Sequence, residues 1–170
     1  AACLMIRFKP INADSNEFQD FGCQEKEEAG VITLYHEGLE SMLDSASYPL
    51  SIEKFTSVIQ YFEDKLGKPE DVHVGIKRPR IDDEITQEST LDRVYFLSHK
   101  NIASIYAEIG NTKLAITHYQ KALRLSNKDI ITWHKFAECL VDSGDFAGAR
   151  QVLEQMRVLD PFYWPGFYDL

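Results

Sequence analysis

Apolar residues recur along much of the chain at the three-to-four-residue spacing of amphipathic helices, interrupted by short polar turns. "EEAGVITLYHEGLESML" carries Ala29, Ile32, Leu39 and Met42 among its apolar positions. "LSIEKFTSVIQYFEDKL" sets Ile52, Phe55, Ile59, Phe62 and Leu66 on one face, and turn-rich "DSASYP" joins the two segments. A third helix is predicted from Thr90 to Ile109, with Ile102, Ala103, Tyr106 and Ile109 on its apolar face. Its partner is predicted from Thr112 to Leu125, with Leu114, Ala115, Tyr119 and Ala122 inward. Trp133, Phe136, Ala137 and Leu140 then mark another first helix, and Ala149, Val152, Leu153 and Met156 its partner.

The last two pairs repeat one another. Gly110 and Gly144 lie 34 residues apart, as do Ala103 and Ala137, Ala115 and Ala149, and Asn127 and Pro161. That is the period of the tetratricopeptide repeat, a helix–turn–helix unit that stacks on copies of itself. The small residues have physical reasons to recur. Gly110 and Gly144 end a helix where the chain turns through the left-handed conformation. Ala115 and Ala149 sit where paired helices cross too closely for a larger side chain.

The expected fold is therefore all-α, with tetratricopeptide-repeat hairpins stacked as a short right-handed solenoid. Its expected organisation is an extended N-terminal segment (1–24), a degenerate helical hairpin (25–66) and a mobile loop insert (67–90). Two repeats follow (91–127 and 128–161), then the start of a further, truncated repeat (162–170). Asp160-Pro161 suits a helix start, and Trp164 lies 34 residues after Ile130, so the chain is expected to be a piece of a longer protein.

Composition narrows the chemistry. The 170 residues are 44% hydrophobic and 26% charged, which suits a domain with a real core, and no apolar run approaches the ~18 residues of a membrane span. No secretory signal pattern opens the chain. Cys3, Cys23 and Cys139 are scattered, pointing to a reducing compartment without disulfides, and the five histidines show no metal-ligand spacing. No nucleophile elbow, phosphate-binding glycine loop or HExxH signature is present, so no catalytic residue, cofactor or metal is expected.

The net charge of −9 is unevenly placed: residues 1–95 hold 10 Lys+Arg and 19 Asp+Glu, and residues 96–170 hold 8 of each. The acidic half reads either as solvated surface or as a field that attracts basic partners such as histone tails; it disfavours nucleic acid. Inside the insert, Lys77, Arg78 and Arg80 flank Pro79 in a short basic nuclear-address pattern, beside Asp82, Asp83 and Glu84. The alternative is an ordinary solvated loop. Stacked hairpins line a concave face with the first helix of each pair. Lys100, Ser104 and Glu108 from one repeat, with His134, Glu138 and Asp142 from the next, are the candidate partner-binding residues, set against a reading as solvated surface.

One stretch is more specific than the repeats. "MIRFKPINADS", from Met5, resembles the opening of the Cabin family, the third subunit of the HIR/HIRA histone-chaperone complex. The likeness continues through "LYHEGL", "HKNIASIYAEIGNTKLAITHY", "TWHKFAE" and "LDPFYWPGFYDL". With Met5 as the natural start, Ala1-Ala2-Cys3-Leu4 is a leader left by cloning. The resemblance implies a nuclear, non-enzymatic helical-repeat scaffold. Its partners would be the other HIR/HIRA-type subunits and histones H3–H4, in replication-independent deposition and transcription regulation. No direct nucleic-acid or membrane contact is expected. The alternatives are a generic tetratricopeptide adaptor or co-chaperone, for which Lys100 and Asn101 are the sole carboxylate-binding candidates, and a phosphatase-inhibiting regulatory domain of a larger protein.

Overall fold

The structure, a computed structural model, describes residues 17–66 and 90–163, with side chains for 26–65 and 90–163. Its helices are α1 (Glu17–Ser41), α2 (Tyr48–Leu66), α3 (Thr90–Glu108), α4 (Thr112–Leu125), α5 (Ile130–Asp142) and α6 (Phe146–Leu159), with one 3-10 turn at Ser45–Ser47. No strand occurs among the described residues.

Local chemistry sets the helix ends. Asn111 caps α4 by accepting from the Leu114 N–H at 3.4 Å, and Asp145 caps α6 by accepting from the Gly148 N–H at 2.9 Å. Gly110 and Gly144 precede these caps with φ of 79° and 84°, a conformation that any Cβ strains. The turn closes through the Asn111 N–H on the Tyr106 carbonyl (2.8 Å) and the Asp145 N–H on the Leu140 carbonyl (2.9 Å).

Successive helices run antiparallel. Phe62, late in α2, stacks on Tyr95, early in α3, with ring centroids 4.8 Å apart. At the other end the Tyr48 hydroxyl donates to the Glu108 carboxylate. Each helix packs on the next, and the first helices also touch in the order α1–α3–α5. The result is an all-α solenoid of tetratricopeptide type.

Two apolar clusters hold the stack. Val31, Tyr35, Phe55, Val58, Phe62, Ile102 and Ile105 fill the space among α1, α2 and α3. Ala103, Ala115, Tyr119, Phe136, Ala137, Ala149, Leu153 and Met156 fill the space from α3 to α6. Ala115 is fully buried and Ala149 is 2% exposed, as close helix crossings require.

Several expectations need correction. The N-terminal segment is not extended through residue 24, because α1 already begins at Glu17. Glu17 and Asp20 favour a helix N-terminus, and Gln24 to Glu28 are good helix formers. On α1 the buried stripe is Val31, Tyr35 and Gly38; Ala29 is exposed, Ile32 and Leu39 are half-buried, and half-buried Met42 lies just past the helix end. The phase is set by Gly38, where a Cβ would lie 2.8 Å from the ring of fully buried Phe55. Ile109 and Leu114 are 54% and 40% exposed rather than inward, since they flank the turn where α3 and α4 separate. Trp133 is half-buried, its indole N–H donating to the Asn127 carbonyl at 2.8 Å. The expected insert (67–90) ends a residue sooner, since Thr90 already opens α3. Its residues 67–89, with Lys77, Arg78 and Arg80, and all but the first two residues of the expected repeat start (162–170) lie outside the described residues.

A polar pair crosses the seam of α3 and α4. His99 and His118 face each other with Nδ1 atoms 3.1 Å apart, so one ring donates and the other accepts. His99 is 1% exposed, its Nε2 without a hydrogen-bond partner, and its ring sits against Tyr95, whose buried hydroxyl is also unpartnered. Burial, then the neighbouring His118 and Lys121, lowers His99 to about 3. Burial and Lys121 lower His118 to about 4.

Two predictions follow from this packing. Gly38→Ala should destabilise the fold by ~1–3 kcal/mol through overpacking against Phe55. Gly30→Ala, where nothing lies within 4 Å, should instead gain up to ~1 kcal/mol of helix propensity. Urea denaturation measures both, and equal effects would contradict the contact. For pH, both histidines stay neutral in the fold below the ordinary value of 6.5, where the unfolded chain takes up protons. Their stabilisation is complete above pH 6.5 and drains away as pH falls toward 4. The slope should be ~1.4 kcal/mol per pH unit for each neutral ring. His118→Gln should flatten the urea midpoint against pH over that window, whereas a profile parallel to wild type would rule the pair out as its source.

Candidate functional site

The first helices α1, α3 and α5 lie side by side, and α3 and α5 carry the six residues picked from the sequence at successive turns. Each has a definite environment. The Lys100 ammonium lies 2.6 Å from an Asp129 carboxylate oxygen, with both side chains about a quarter exposed at 25% and 24%. Asp129 also accepts from the Thr132 hydroxyl at 2.7 Å. Burial acts to raise the Asp129 carboxyl, but the hydrogen bonds from Lys100 and Thr132 outweigh it and hold the group below its ordinary value. The Lys100 charge is thus neutralised by the chain itself.

Ser104 is half-buried and hydrogen-bonds with the Tyr119 hydroxyl, whose pKa is pushed up chiefly by burial. Glu108 receives the Tyr48 hydroxyl from α2, which raises the pKa of that exposed phenol. Neighbouring Asn101 donates to the Tyr35 hydroxyl of α1 at 3.4 Å. On α5, His134 is largely covered and meets the Tyr163 ring edge-on at 5.8 Å. Glu138 lies 3.9 Å from His134 Nδ1 and receives the Lys135 ammonium at 2.7 Å. Asp142 is exposed at the end of α5.

The six residues therefore do not form one converging set. Lys100, Ser104 and Glu108 tie α3 to the loop before α5, to α4 and to α2. His134 and Glu138 make contacts within α5 and its C-terminal neighbour. Cys139 is buried, and burial raises its thiol to about 11, far from a reactive thiolate. No group of three or more metal-ligating side chains occurs among the described residues.

A second surface was not picked from the sequence. A groove of about 430 Å³ runs between α4 and α6 over α5, with Leu123, Trp133, Phe136 and Val152 among its lining and Gln120, Gln151 and Gln155 along its sides. Its signal was Gln120 on α4 and the i, i+4 pair Gln151 and Gln155 on α6 beside apolar residues, which repeat spacing alone assigns to surface and core. Charge is the other feature. Residues 17–66 hold eleven Asp and Glu against three Lys, and Lys54 and Lys65 pair with Glu37 (2.6 Å) and Glu27 (3.1 Å).

Comparison with known proteins agrees with this architecture. A stretch of 66 residues, 39% of the chain, is 32% identical to Superkiller protein 3 of Schizosaccharomyces pombe and takes up 5% of that protein's length. The match is thus to a small part of a much longer relative. Residues 107–165, from the end of α3 past the end of α6, match the tetratricopeptide repeat family.

Proposed function

We propose that the chain is a non-enzymatic scaffold segment of a nuclear histone-chaperone complex of HIR/HIRA type, serving replication-independent H3–H4 deposition and transcription regulation. The repeat architecture supports an interaction role, because stacked hairpins expose extended surface at little cost in core. The observation that carries the partner class is the acidic first hairpin. Its eleven carboxylates are opposed by three lysines, two of them already paired, so the residual field is strongly negative. Such a field attracts basic proteins and repels the phosphates of nucleic acid. The resemblance of "MIRFKPINADS" to the Cabin opening supports the particular complex.

The co-chaperone reading draws less support. A groove that holds a peptide's C-terminal carboxylate needs an available cation, and Lys100 already holds Asp129.

Two measurements test this. Purified chain is expected to retain recombinant H3–H4 or the other HIR/HIRA-type subunits in a pull-down, with retention falling as ionic strength rises past physiological values; no retention of any of them would remove the proposal. Lys100→Ala is expected to lower stability by about 1 kcal/mol, by leaving Asp129 without its partner, and to leave that retention unchanged. Loss of binding to a chaperone C-terminal peptide on the same substitution would favour the co-chaperone reading instead.

A further inference from the structure

The exposed large apolar side chains are not scattered. Because successive helices alternate in direction, the α1–α2, α3–α4 and α5–α6 turns all lie along one edge of the stack. Leu43 (90% exposed) and Leu50 (45%) flank the first turn, and Ile109 (54%) and Leu114 (40%) flank the second. Val141 and Phe146, 41% and 69% exposed, flank the third. The opposite end holds Ile131, Val158 and Phe162. The hydrogen bond from Tyr48 to Glu108 joins the first two turns. The middle hairpin is packed on both sides by described helices, so the exposure of Ile109 and Leu114 does not come from the open side of the last hairpin. Apolar edges of this kind mark interaction sites.

The charges beside them are predominantly acidic. Glu40, Asp44, Glu108, Asp142 and Asp145 are exposed at the three turns, against Lys113 alone. We propose that this turn edge, rather than the face of the first helices, docks a basic amphipathic helix whose leucine-like anchors sit between the turns and whose Lys or Arg flanks meet the carboxylates. A helix is the fitting form, since no described strand offers main-chain groups for an added strand. A second copy of the chain is disfavoured because the edge would set acid against acid. An anionic membrane surface is disfavoured for the same reason. The inference does not depend on the HIR/HIRA reading, since any basic amphipathic helix would serve.

The test uses the whole chain and two fluorescein-labelled helical peptides, one of Leu and Lys, the other with Glu replacing Lys. Fluorescence anisotropy at physiological salt is expected to show binding of the Lys peptide only. The triple variant Leu50→Gln, Ile109→Gln, Leu114→Gln is expected to weaken it at least about tenfold. Charge reversal, Glu40→Lys with Asp44→Lys, is expected to weaken it similarly and to admit the Glu peptide. Circular dichroism should show unchanged helix content, the altered side chains being exposed. Unaltered affinity in the triple variant, equal binding of the Glu peptide, or edge-dependent dimers in analytical ultracentrifugation would overturn the proposal.

Discussion

Everything in this stack depends on how closely the two helices of each hairpin can approach. Ala115 and Ala149 occupy the crossings of the second and third hairpins, and Gly38 admits Phe55 at the first. A side chain one methyl larger must move a ring or a backbone, and cores packed at crystal-like density yield little. Once the crossing is fixed, so is the angle of the pair, and with it the faces left for the next pair to cover.

Helix α3 carries this geometry from one half of the molecule to the other. Its Ile102 and Ile105 belong to the cluster with α1 and α2, and its Ala103 to the cluster with α4, α5 and α6. Adjacent residues thus serve different cores, so the two clusters share one rigid spacer. Polar contacts then refine the joints. Lys100 reaches the loop before α5, Asn101 reaches Tyr35 of α1, and Glu108 meets Tyr48 of α2. These residues look like an open groove when α3 is drawn alone. In the folded stack they act mainly between neighbouring elements.

The repeat itself was legible because it is local and periodic: Gly110 with Gly144, and Ala115 with Ala149, state the turn and the crossing at one offset. The phase of α1 was not. That helix has apolar residues on more than one face, and the choice is made by a contact between Gly38 and Phe55 across the hairpin. The pairing of Lys100 with Asp129 was hidden for a similar reason, since the two lie in different elements and neither has a spacing that announces the other. Ile109 and Leu114 misled in the opposite direction. They continue a helical stripe past the point where a neighbour exists to cover it.

The facing imidazoles of His99 and His118 also bear on mechanics. Their 3.1 Å contact works in one alignment of α3 and α4, and sliding one helix along the other would strand two dry ring nitrogens. The α3–α4 hairpin is thereby stiffened against internal shear. Elastic strain applied along the stack would then fall on the joints to either side of that hairpin, which would move as one plate between its neighbours.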